Sequence, residues 1–260
     1  MNDVISLNIL QFSLIYILLV IVLLIMKKCR INQTKLLIVA SVRMTVQLVL
    51  AGLVLTYIFQ NPHPLFTVGY LILMTGFAVF MVFRRNKESK IFNRQFKIIT
   101  AVSLSASGLA IVCFFISVVV GVSVLNPQYT IPISGMIIGN AMTGTSLGLK
   151  AFNESIAAHR IRIDTLLNMG AAPRKIITPF VNQAIETALL PTLNSMLGMG
   201  IISLPGMMTG QILSGTMPMT AILYQIAIII AISTVTCLSV FCCLYFGAGT
   251  LYNKRGQFMI

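Results

Sequence analysis

The chain has 260 residues, of which 57% are hydrophobic and only 9% charged, and it carries a net charge of +13. A soluble domain holds roughly a quarter charged residues, so the composition excludes a soluble globular protein and predicts an all-α, polytopic membrane helix bundle. The placement of the charge argues against nucleic acid as a partner: 17 of the 18 Lys and Arg fall in four blocks, Lys27 to Lys35, Arg84 to Lys97, Lys150 to Lys175, and Lys254 with Arg255.

The polar breaks between those blocks, Gln60 to Pro64, Asn126 to Thr130 and Met207 to Pro218, contain no Lys or Arg. Such alternation is the positive-inside pattern, which sets the blocks in the cytoplasm and beside anionic membrane lipid. A membrane-crossing helix needs about 20 apolar residues. Spans are predicted at Val4–Met26, Leu36–Phe59, Leu65–Phe83, Ile98–Leu125, Ile131–Leu149, Ala184–Leu204 and Met219–Tyr245. About seven crossings put the N-terminus outside and the C-terminus inside, with residues 1–260 forming one transmembrane domain. The first span is expected to stay in the mature protein, because Met1-Asn-Asp3 lacks positive charge and Lys27, Lys28 and Arg30 follow as a stop-transfer signal.

Along the early spans the ionisable and metal-ligating residues are sparse. Arg43 is the lone basic residue inside a span, and His63 stands between Pro62 and Pro64, where turn chemistry accounts for it. The five cysteines, Cys29, Cys113, Cys237, Cys242 and Cys243, have no two-residue-spaced pair and read as packing residues.

The fifth span carries Gly135 and Gly139, then Gly144 and Gly148, each pair four apart. Small residues at that spacing let helix backbones approach closely in a membrane. Asn140, Thr143, Thr145 and Ser146 lie in the same span. Such polar groups either bond a neighbouring helix or face a water-filled path. Lys150 after Gly144 and Gly148 does not make a phosphate loop, since Leu149 separates Gly148 from the lysine and Ala151 follows it.

Past Lys150 the chain turns polar. Phe152, Ile156, Ile163, Leu166 and Leu167 recur near helical spacing, with Lys150, Asn153, Glu154, Arg160 and Arg162 on other faces. This predicts an amphipathic helix, one outcome being a helix lying on the membrane surface. Gly170 is placed to end it and Pro173 to start the next. The segment 150–183 is read either as a plain surface corner or as an element that docks into a cleft of a cytoplasmic partner.

In the sixth span Glu186 is an acidic residue close to apolar sequence, Pro191 is predicted to kink the helix, and Asn194 and Ser195 follow. Glu186 is expected either to pair with Arg43 or to serve transport. The stretch Pro205-Gly206 to Pro218 is too short to span and too apolar for a simple loop, which fits a re-entrant or interfacial hairpin. Met136, Met142, Met207 and Met208, with Glu186, are the weak candidates for contact with a soft metal; flexible packing is the commoner use of methionine.

Four segments carry a resemblance. Gly135-Met-Ile-Ile-Gly-Asn-Ala-Met142, Asn168-Met-Gly-Ala-Ala-Pro173, Ser203-Leu-Pro-Gly-Met-Met-Thr-Gly210 and Ala221-Ile-Leu-Tyr-Gln-Ile226 occur in this order. They resemble the signature segments of the iron-export ABC permease family, called FetB in bacteria, to which the plant aluminium-tolerance permeases are related. The resemblance implies a homodimeric permease of the bacterial cytoplasmic membrane that itself binds no cofactor. ATP and Mg would act in a separate cytoplasmic ABC ATPase. It also implies that Asp164, Leu167, Gly170, Ala171, Ala172, Pro173 and Arg174 form the coupling loop, although the usual Glu-Ala-Ala is here Asp164-Thr165-Leu166. Asn140, Thr143, Glu186, Asn194 and Ser195 are the expected path, supported structurally by Arg43, Pro191, Pro205 and Gly206.

The expected function is therefore export of iron or another metal by a transport subunit that is not itself an enzyme. An organic solute such as a nucleotide sugar is the alternative cargo. A secondary carrier would need ionisable coupling sites near the midplane and often an internal repeat; a non-transporting scaffold would explain docking but not the polar fifth span.

Overall fold

A computed structural model describes residues 9–87 and 92–251, with side chains from residue 12 onward. The start of the first expected span at Val4, Lys90 of the second basic block and the Lys254–Arg255 pair lie outside the described residues. The described chain is helical, and its elements are α1 (Ile9–Lys28), α2 (Thr34–Gln60), α3 (Pro64–Arg85), α4 (Arg94–Phe114), α5 (Pro127–Ala158), α6 (Arg160–Asn168), α7 (Pro173–Gly198), α8 (Gly206–Leu213) and α9 (Pro218–Ala248). Among the described residues, Thr34–Gln60, Pro64–Arg85, Arg94–Val120 and Pro218–Leu251 are long and apolar enough to cross a membrane.

Two compact units emerge. The smaller takes in residues 1–62 with Leu213–Thr216. In it α1 packs on α2, and the Tyr16 and Thr45 hydroxyls lie 2.6 Å apart across the pair. Arg43 is half-buried on α2.

In the larger unit, α5 is the central helix, packed by α3, α4, α7 and α9. Polar side chains start three of these helices, α3, α4 and α5. Asn93 accepts from the Phe96 N–H at 2.8 Å, and Asn126 accepts from the Gln128 N–H at 3.1 Å ahead of Pro127. His63 does the same for α3, its Nδ1 accepting from the Leu65 N–H at 3.2 Å ahead of Pro64. Each cap satisfies a donor that has no carbonyl partner in the first turn. The fourth expected span extends beyond α4 through one π-helical segment, Phe115–Val120, and stops at Gly121, whose φ of +75° suits glycine.

The α5–α9 seam is formed by small residues. A Cβ at Gly144 would overlap Thr236 Cγ2, and one at Gly148 would lie 2.8 Å from Val240 Cγ1. Thr236 and Val240 are β-branched and buried, so neither can swing aside. Buried polar groups tie the same bundle: the Thr145 and Ser239 hydroxyls are 3.1 Å apart, and Thr100 Oγ1 lies 3.0 Å from Cys243 Sγ. Gly247 is the matching close approach on the other side of α9, against the Phe96 ring. Of the earlier glycine pair, a Cβ at Gly135 would lie 3.1 Å from Met74 Cε, while one at Gly139 would meet nothing within 4 Å.

Three element boundaries differ from the sequence expectation. The amphipathic stretch is two helices, broken at His159, rather than one. Its apolar side is also not free for a membrane surface, because Phe152, Ile156 and Ile163 belong to the core of the chain itself. The sixth expected span, Ala184–Leu204, is instead the later part of α7, which starts at Pro173, continues through Pro179 and Pro191, and ends at Gly198. Gly200, at φ +84°, then turns the chain, its N–H donating to the Ser203 carbonyl at 2.9 Å. The apolar stretch 205–218 holds α8, whose eight residues extend about 12 Å and are too short to cross a hydrocarbon core.

Candidate functional site

The polar corner is built from its two breaks. His159 leaves the helical region at φ −110° and ψ 19°, and its Nδ1 lies 2.9 Å from the Ser155 carbonyl. Its ring also packs 5.5 Å from Phe180 of α7 and so contacts the second arm of the corner. Ser155 Oγ donates to Gln183 Oε1 at 3.1 Å, a second tie between α5 and α7.

Gly170 makes the other break, at φ +82°. The Gly170 N–H donates to the Leu167 carbonyl and the Ala171 N–H to the Leu166 carbonyl, each at 3.0 Å. These are the two main-chain bonds of a Schellman motif, which satisfies carbonyls left open at the end of α6. Leu166 and Ala171, the pair whose contact accompanies such a motif, both pack on the core. Ala172 then precedes Pro173, the first residue of α7, where a missing N–H costs nothing.

This geometry sorts the expected coupling residues. Asp164, Gly170, Ala172 and Arg174 are exposed, whereas Leu167, Ala171 and Pro173 are half-buried. Leu167 therefore anchors the corner with Ile163, which is 2% exposed. The outward face instead presents Ile161 at 85% exposure and Met169 at 78%, with Thr165 and Asn168 exposed between them. Neither Ile161 nor Met169 stood among the expected site residues; their positions off the 163, 166, 167 stripe are the signal that finds them. Asp164 meets Arg160 at 4.0 Å, and Lys150 meets Glu154 at 3.7 Å. These pairs are exposed and add little to stability.

The expected path residues lie further along the same two helices. Thr145 and Ser146 are buried, but Asn140 and Thr143 are exposed and bond only to their own helix, at the Met136 carbonyl (2.8 Å) and the Gly139 carbonyl (3.1 Å). On α7, Glu186 and Asn194 share an exposed face with Leu190 and Leu193, while Ser195 and Pro191 are also exposed. Gly144 lies against Ala188 and Gly148 against Ala184, which makes α5 and α7 antiparallel. One further turn of that register puts Asn140 at the level of Thr192, two residues before Asn194 along the α7 axis.

Arg43 belongs to the smaller unit and Glu186 to the larger. Met136 and Met142 pack on the core from α5 and Met207 does so from α8, where Met208 is buried. Pro205 offers its carbonyl to the Thr209 N–H at 2.9 Å, and a Cβ at Gly206 would meet nothing within 4 Å. Among the described residues no group of three or more His, Cys, Asp or Glu could hold a metal ion.

Residues 9–252 match the uncharacterised protein family UPF0014. The chain is 32% identical over 252 residues to the UPF0014 membrane protein YjkA of Bacillus subtilis, covering 95% of this chain and 98% of the relative. It is 31% identical over 219 residues to the probable iron export permease protein FetB of Escherichia coli, covering 84% and 82%. Over 187 residues it is 35% identical to the protein ALUMINUM SENSITIVE 3 of Arabidopsis thaliana, covering 72% of this chain and 66% of the relative. No solved structure matches it. The family match over nearly the whole chain agrees with the long apolar helices, and the chain belongs to the UPF0014 family of multi-pass membrane proteins.

Proposed function

We propose that the chain is the membrane subunit of an ATP-driven transporter that exports iron or another metal. The observation that carries this reading is the corner at Arg160–Asn168 and Gly170: a short helix whose inward stripe is anchored while Ile161 and Met169 face outward. Exposed apolar side chains between polar neighbours, in a segment of basic sequence, suit docking to a soluble protein. The chain has no phosphate loop of its own, so a cytoplasmic ABC ATPase with bound ATP and Mg would supply the energy.

In this reading α1, α2, α3, α4, α5, α7 and α9 are the seven crossings, with the N-terminus outside and the corner in the cytoplasm. Two copies form the permease. Motion of the docked corner is delivered through α5 and α7, the helices that hold Asn140, Thr143, Glu186, Asn194 and Ser195. Iron is supported by the name of the Escherichia coli relative. The amide and hydroxyl character of the path favours a second cargo class, an organic solute bound through hydrogen bonds.

Copurification tests the reading. Ile161→Asp with Met169→Asp is expected to abolish association with the cognate ATPase and its coupled hydrolysis, at unchanged thermal stability. Gly170→Arg should weaken coupling as well, since a side chain in the left-handed region costs about 1–2 kcal/mol. An ATPase that still binds and is still stimulated by the doubly substituted permease would sink the docking assignment. In vesicles containing both subunits, movement of Fe²⁺ against movement of a nucleotide sugar then decides the cargo.

A further inference from the structure

Where α3 ends and α4 begins, the larger unit contains a cavity of about 410 Å³ that no part of the transport reading uses. This is within the usual range for small-ligand sites, roughly 300–1,000 Å³. Its floor is firm: Phe92 stacks on Phe96 at 4.5 Å between ring centroids, and both are buried, as are Thr100 and Leu149. Gly247 holds Phe96 from behind. Its rim is cationic, lined by Arg84 at the end of α3, Lys87 in the turn just past it and Lys97 of α4. All three are exposed, and no acidic residue lines the cavity among the described residues.

Along α3, Phe80, Phe83 and Arg84 recur at three- and four-residue spacing, so they share one face, and Lys87 follows in the turn beyond Asn86, which caps the helix. The face runs from aromatic to cationic toward the helix end, and Phe80 is 55% exposed on its apolar side. A free phosphate would match the rim and leave the rings without a partner. An acyl chain alone would match the rings and leave three cations without a counter-charge. We infer that this cavity binds an anionic phospholipid, with the phosphate among Arg84, Lys87 and Lys97 and the upper acyl chain against Phe80 and Phe83. Lipid anchored there would clamp the α3–α4 end to the membrane surface. The inference needs only that these helices end at a membrane face and makes no use of ATPase or cargo.

The test is binding to the purified full chain, read by native mass spectrometry and by competition. Dioctanoyl phosphatidylglycerol is expected to be retained at one molecule per chain, at least tenfold more tightly than dioctanoyl phosphatidylcholine. Inorganic phosphate and glycerol phosphate should fail to displace it at equal concentration. Each of Arg84→Gln, Lys87→Gln and Lys97→Gln should weaken it about fivefold. Control variants that each remove one charge outside the cavity, Lys28→Gln, Lys35→Gln and Lys150→Gln, should stay within about twofold of the unsubstituted chain by the same reasoning. Equal retention of the two lipids, displacement by the tail-less phosphates, or an equal loss in the controls would each overturn the proposal. The headgroup and tail comparisons are made on the unsubstituted chain, so they decide the matter even if a variant fails to fold.

Discussion

Thr143 and Thr145 are two residues apart on α5 and meet opposite surroundings. Thr145 is 1% exposed and within bonding distance of Ser239 on α9, whereas Thr143 is exposed and bonds only to its own helix. Two residues turn a helix by about 200°, so the two hydroxyls mark its two faces. On one, Gly144, Thr145 and Gly148 bring α9 and α7 as close as backbones allow. On the other, Gly139, Asn140 and Thr143 have no neighbour in the larger unit pressed against them. Polar residues in one helix thus meet two surroundings, and burial, not residue type, tells them apart.

That division can be broken by substitution. Gly144→Leu should have the largest effect, destabilising the folded chain by about 3 kcal/mol or more, because the overlapping Thr236 cannot move. Gly139→Leu, in the same helix, should leave thermal unfolding of the monomer within about 0.5 kcal/mol. Equal losses for the two glycines would erase the distinction between the faces. Thr145→Val comes next, at about 1–3 kcal/mol, since it leaves the Ser239 hydroxyl without its α5 partner. Adding Ser239→Ala should recover part of that loss in the same unfolding measurement. Asn140→Ala with Thr143→Val should change stability least, by under about 0.5 kcal/mol. Vesicle transport should nonetheless fall. Full transport by this variant would remove both residues from the path and leave them as surface polar groups.

Local backbone chemistry was legible in the sequence, whereas the direction each face points was not. Gly170 and Pro173 announced the end of α6 and the start of α7, because a left-handed residue and a fixed φ restrict the chain whatever surrounds it. The anchoring stripe of Phe152, Ile156 and Ile163 was readable for a similar reason: in a polar segment, apolar residues stand out. Within the spans that contrast disappears, since lipid and protein interior are both apolar. Hydropathy therefore could not separate Thr143 from Thr145, or show that α7 extends from Pro173 through Pro191 without a break. The break at His159 carried no glycine or proline to mark it. It became visible only through contacts with Ser155 and Phe180.

The corner at Gly170 is closed by two main-chain hydrogen bonds and held down from beneath by Ile163, Leu166 and Leu167. The side chains at 161, 165, 168 and 169 take no part in either. Its shape and its chemical identity are thus encoded in separate sets of residues. Substitutions in the outward set can therefore accumulate one at a time without passing through an unfolded intermediate. If the corner docks as proposed, such a fold could be re-paired with new motors while the residues that hold its shape stay the same.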